Sequence, residues 1–177
     1  MTTSSSIQRP TADEYFAYYG KYIALVPDGD LLAMLQKQNS ETAALLASVT
    51  PAKADFAYAP GKWTIKEVIG HLCDAERVFA YRAMRFGRAD ATALASFDEN
   101  TYVPAGKFGD RTLPDLVEEF RAIRAATLHL ARHFDAAALK RQGIASGNPV
   151  SVRALLYIIA GHERHHVALL RERYLKA

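Results

Sequence analysis

The sequence predicts an all-α protein, a four-helix bundle with one longer connection between its second and third helices. Three observations predict it. Four long segments repeat apolar residues at three- and four-residue spacing, the stripe of a helix that buries one face. No useful length of chain shows the apolar–polar alternation of a strand. The strong turn signals at Pro51, at Gly87 and across residues 143–148 fall between the stripes and not within them.

Taken in order, residues 1–10 read as a tail closed by Pro10, and residues 11–177 as one helical domain. Residues 12–24 carry Tyr15, Phe16, Tyr18, Tyr19 and Tyr22. They read as a short helix covering the body, or as a partner surface. The turn Pro27-Asp28-Gly29-Asp30 offers an N-cap. The first long helix spans about 30–48 on a stripe of Leu31, Leu35, Thr42, Leu45, Leu46 and Val49, and Pro51 stops it. The second opens at Thr64, which forms a T-x-x-E capping box with Glu67. Its stripe runs Ile65, Val68, Ile69, Leu72, Phe79 and Met84 to a stop at Gly87. Residues 88–111 form the long connection, with a helical turn expected near 91–97. The third helix opens at Thr112 and follows Leu113, Leu116, Phe120, Ile123, Thr127 and Leu130. After a turn at residues 143–148, the fourth begins near Pro149 or Ser151 and runs to the end.

Composition narrows the function classes. A chain of 177 residues, half of them apolar, has enough material for a real core. The net charge of +3 is mild, and no run of Lys and Arg marks a nucleic-acid footprint. No segment is apolar over the length a bilayer requires. One cysteine, Cys73, excludes an internal disulfide framework and any cysteine-rich zinc site, and it reads as packing. The first six residues lack the basic and apolar regions of a secretory signal. The expectation is a soluble cytoplasmic protein.

The chemistry concentrates in GHERHH, residues 161–166, which satisfies H-E-x-x-H literally. The zinc-protease reading fails. Only Glu172 follows as a carboxylate, on the same helix, and the neighbouring sheet of those enzymes is missing from the pattern. Facing is more informative than the motif. A helix advances about 100° per residue. On that wheel His166 falls near the centre of the Leu155/Ile159 stripe and His162 close by, while His165 sits outside. His129 and His133 share the i,i+4 spacing but lie opposite the Phe120/Ile123 stripe. Two imidazoles buried at i,i+4 need partners. They are either hydrogen-bonded structure or a metal pair that needs a third ligand. His71 is the upstream candidate, at the flank of its stripe. Glu163 is either a base beside the metal or a surface charge. Asp74, one turn beyond His71, is either that imidazole's orienting partner or a surface charge.

Three stretches together resemble one family: GKWTIKEVIGHLCDAERVFAYRAMRFGRAD, FDENTYV and VSVRALLYIIAGHERHHVALLRERYL. They resemble the DinB/YfiT-like superfamily of small four-helix bundles, in matching order from about residue 14 to 175. The most specific pieces are W-[ST]-x-x-E-x-x-x-H and the terminal H-x-x-x-H. The resemblance implies a divalent metal (Zn, Ni, Fe or Mn) held by His71, His162 and His166, with His165 a bystander. It also implies an activity among those of the family. One is transfer of a low-molecular-weight thiol, the thiol entering as cosubstrate. Open positions on a metal held by three histidines equally allow hydrolysis of a small substrate, and a non-catalytic metal-binding stress protein is the alternative from another class. A homodimer is expected. Phe97, Asp98, Tyr102 and Phe108 in the 88–111 connection are expected to wall the cleft.

Overall fold

The computed structural model describes residues 7–176. In chain order its α-helices are α1 (Gly20–Ile23), α2 (Leu31–Ala47), α3 (Pro51–Ala54), α4 (Ile65–Gly87), α5 (Glu99–Gly106), α6 (Leu113–Ala131), α7 (Ala136–Lys140) and α8 (Val152–Leu169). Strands β1 (Gln142–Ala145) and β2 (Asn148–Ser151) form one antiparallel hairpin ahead of α8. The long helices α2, α4, α6 and α8 make a four-helix bundle.

Each long helix starts where its sequence supplies a cap. The Asp30 side chain accepts from the backbone N–H groups of Leu32 and Ala33. Thr64 and Glu67 form the expected capping box, and Thr112 and Ser151 cap α6 and α8. These caps satisfy donors that the helix leaves unpaired at its start.

The packing order is not the chain order. α2 packs against α6 and α8, and α4 packs against the same two helices. Two apolar clusters fix the directions. One gathers Leu31 and Leu35 from the start of α2, Phe79 and Phe86 from the later part of α4, Leu128 from α6, and Leu155 from α8. The other joins Leu46, Ile65, Ile69, Leu113, Phe120 and Leu170. Hence α4 and α6 are parallel neighbours, and so are α2 and α8. A chain leaving α4 must travel back along its 23 residues, roughly 35 Å, before α6 can begin. That return is the physical reason for the long connection.

Between the clusters lies a buried polar layer. Arg124 of α6 is fully buried. Its guanidinium forks onto Glu76 through two 2.8 Å bonds, donates to the Leu35 carbonyl at 3.0 Å, and meets Glu163 at 2.8 Å. Gln38 donates to Glu163 at 3.1 Å and Thr42 at 2.6 Å. A charge this deep is tolerated only when its hydrogen-bonding capacity is met.

Several expectations need correction. Residues 7–10, assigned to the tail, lie on the body. Ile7 is buried in the first cluster, and its carbonyl accepts from the Tyr157 hydroxyl at 3.1 Å. Arg9 donates to the Ile23 carbonyl at 2.9 Å. Residues 1–6 of that expectation, and residue 177, lie outside the described residues. Residues 12–24 form 3₁₀ turns at Ala12–Glu14 and Ala17–Tyr19 before α1, in place of one continuous helix. No helical turn forms at 91–97. Leu94 instead bridges to Ala145, extending the hairpin, and the helix begins later, where Asp98 caps α5. The turn at 143–148 is the tip of the β1–β2 hairpin, with Ser146 and Gly147 both at positive φ (52° and 75°). Met84 is exposed, and the α4 stripe ends on Ala83 and Phe86.

Candidate metal centre

Two helices bring three imidazoles together. His71 projects from α4, and His162 and His166 from successive turns of α8. All three are buried, at 6, 7 and 9% exposure. The Nε2 atom of His162 lies 3.1 Å from Nε2 of His71 and 3.1 Å from Nε2 of His166. The antiparallel packing of α4 on α8 makes this possible, since it places the first half of one helix beside the second half of the other.

Burial is the main cause of a common electrostatic shift. It pushes His71 down to about 4 and His166 down to about 3, and it holds His162 well below the usual histidine range. Mutual repulsion adds to the effect at His162 and His166. At neutral pH the rings are therefore neutral, the form that ligates metals. Three neutral imidazoles carry one N–H each, yet all three turn the same nitrogen toward one point. His162 Nε2 cannot be well matched to both neighbours by hydrogen bonding alone. His166 Nδ1 is buried with no hydrogen-bond partner among the described residues. The donor set fits a divalent ion held by three histidines.

The cluster forms the floor of a cleft of about 270 Å³. Aromatic rings wall it. Trp63 lies tilted against the His71 ring at 4.9 Å, Tyr22 meets His162 edge-on at 5.2 Å, and Phe79 does so at 6.0 Å. Gly161 sets the position of Tyr22, because a Cβ there would stand 2.0 Å from the Tyr22 carbonyl oxygen. The far wall is tied by Arg82, which donates to the Ala95 carbonyl at 2.8 Å and the Ser146 hydroxyl at 2.9 Å. Those bonds hold the connection carrying Phe97 against the hairpin.

The remaining candidates fall elsewhere. Glu163 is 2% exposed and turned into the polar layer, where Arg124, Gln38 and Thr42 engage both its oxygens. It neither lines the cleft nor lies on the surface, which corrects both readings of it. The cause is the wheel: one residue past His162 is about 100° around the helix. Burial raises the Glu163 carboxyl above the ordinary range, against the pull of Arg124. Asp74 faces the Arg77 guanidinium at 3.7 Å and has no bond to His71, which corrects its orienting role. Of the expected walls only Phe97 lines the cleft. Asp98 caps α5, Tyr102 packs on Phe97 at 5.6 Å, and Phe108 is buried beneath Gly70. Cys73 is buried and free. His165 is exposed at the rim, its ring 5.1 Å from that of His166. His129 and His133 are exposed, away from the cluster.

Sequence reasoning missed Arg124, Glu76, Tyr22 and Glu99. For Arg124 and Glu76 a signal existed. Arg124 follows Phe120 by four residues and Glu76 follows Leu72 by four, so both continue a core stripe.

This fold and this floor of histidines define a class. Residues 34–170 match the model of the DinB superfamily, and the chain belongs to that family. Among solved structures it is similar to YfiT from Bacillus subtilis, described as a probable metal-dependent hydrolase with an unusual four-helix bundle topology. The TM-score is 0.71 at 18% identity, over 96% of this chain and 93% of that one. It is also similar to the mycothiol-dependent maleylpyruvate isomerase, with a TM-score of 0.64 at 14% identity. That likeness covers 82% of this chain and 61% of the isomerase. At these identities the likeness establishes the fold. Comparison with curated protein sequences finds no match. No helix among the described residues is long and apolar enough to cross a membrane.

Proposed function

We propose that the protein is a divalent-metal-dependent enzyme that uses a low-molecular-weight thiol as nucleophile against a small electrophile. The observation that carries this reading is the convergence of three neutral Nε2 atoms on the floor of an open, aromatic-walled cleft. A divalent ion there supplies Lewis acidity at its open face, lowering the pKa of a thiol or a water that reaches it. The chain's own residues do the rest. His71, His162 and His166 hold the ion. Trp63, Tyr22 and Phe79 exclude bulk water and offer apolar contact to an organic cosubstrate. The likeness to a mycothiol-dependent enzyme supports a thiol.

A second reading is hydrolysis of a small substrate, favoured by the likeness to YfiT and by Glu99, an acidic side chain on the cleft wall. The two separate in one experiment. Protein purified without a histidine tag and loaded with zinc is assayed against a panel of thiols with 1-chloro-2,4-dinitrobenzene, and against a panel of small esters. Thiol-dependent turnover that disappears in His166→Ala supports transfer. Thiol-independent ester cleavage lost in the same variant supports hydrolysis. Stoichiometric metal binding with no turnover in either panel would leave a non-catalytic metal-binding protein.

A further inference from the structure

Glu99 is the one acidic side chain among the described residues lining the cleft, and no hydrogen bond or ion pair among those residues engages it. The nearby cations are already placed. Arg82 is bound to Ala95 and Ser146. The Lys21 ammonium sits over the rings of Tyr18 and Tyr22, at 3.7 and 4.9 Å. Position at the first turn of α5 suits an acidic residue. It does not explain why the side chain faces the histidines, and Asp98 already caps that helix through the Asn100 N–H. The cleft thus pairs an unmatched acid with ring faces, and ring faces attract cations.

We propose that the cleft selects ligands carrying a cationic amine a short spacer away from the group that meets the three histidines, and that Glu99 is the residue that determines this specificity. The proposal rests on the reading of the site as one that takes a small metal-seeking ligand. An ammonium donates a charge-assisted hydrogen bond to Glu99 and lies against the rings of Phe97 and Tyr19. A hydroxyl of the same size loses the charge term. The cleft of about 270 Å³ has room for a small amine beside the histidines.

The test uses the full chain loaded with zinc, titrated calorimetrically with two matched pairs. Cysteamine and 2-mercaptoethanol share a thiol. Glycine hydroxamate and glycolic hydroxamate share a metal-binding group that is not a thiol. Each pair is run on the wild type, E99Q and E99A, so that a folding defect in one variant leaves the other. The amine-to-hydroxyl affinity ratio is expected to be about tenfold larger in the wild type than in either variant, for both pairs. Comparing variants removes any chelation by the amine itself. Equal ratios in wild type and variants overturn the assignment of Glu99, even where thiols bind well. Thiols that fail to bind, with hydroxamates that keep the tenfold difference, sink the thiol reading and uphold Glu99. Failure of all four probes to bind the zinc-loaded protein overturns both.

Discussion

Two residue choices dominate the interior of the bundle. Histidine appears where a helix stripe calls for Leu or Ile, at 162 and 166, and each such ring is buried at a desolvation cost that a bound metal ion would offset. Metal analysis by mass spectrometry is expected to find about one equivalent in the wild type. The content should fall to near zero in His162→Ala and His71→Ala and stay unchanged in His129→Ala, whose ring is exposed. Equal loss in all three would refute the facing argument. The second choice is Arg124. Arg124→Met would strand Glu76 and Glu163 as buried, unpaired acids. Such a loss costs about 3–5 kcal/mol, measurable by urea denaturation. The histidine facing was legible from the wheel. The same wheel marks Arg124 as inward, but only the structure shows what it meets.

At the scale of elements, the short N-terminal segment is held by an absence. Gly161 lets α1 approach α8 so closely that the Tyr22 carbonyl occupies the space of a side chain. Gly161→Ala forces the two apart, and overpacking of this kind costs about 1–3 kcal/mol. Because Tyr22 walls the cleft, ligand affinity should weaken in step with stability. Gly109→Ala, where a Cβ meets nothing within 4 Å, serves as the control and should leave both unchanged. A thermal melt with a parallel binding titration checks the pair. None of this was legible from periodicity, since a glycine in a helix reads as a small loss of propensity until the neighbour is known. The long connection was legible as a length. Its role, returning the chain so that α4 and α6 run parallel, was not.

For the whole molecule, the histidine cluster couples folding to pH. Burial holds His71 near 4 and His166 near 3 in the folded, metal-free state, whereas the unfolded chain titrates near 6.5. Between those values the unfolded state binds more protons than the folded one, so acid favours unfolding. The metal-free protein should show constant stability above about pH 7 and lose it progressively as pH falls through 6 toward 4. His166→Gln should flatten that slope. Urea midpoints across the pH range measure it, and a profile identical in wild type and variant would contradict the shift. Metal acts in the opposite sense. At a free concentration 100-fold above Kd it adds about 2.7 kcal/mol, and a chelator should remove the same amount.

Taken alone, the amino-acid sequence determined the four long helices, their caps, the inward face of α8 and the outward face of His129 and His133. These are properties of one segment and its period, set by local backbone geometry and by which residues shun water. The tertiary structure alone decided that His71 meets the α8 pair, that Glu163 turns away from it toward Arg124, and that Glu99 reaches the cleft from a distant connection. Those outcomes depend on how helices pack, in which direction they run and what fills the space between them. No spacing within one helix encodes the distance to another.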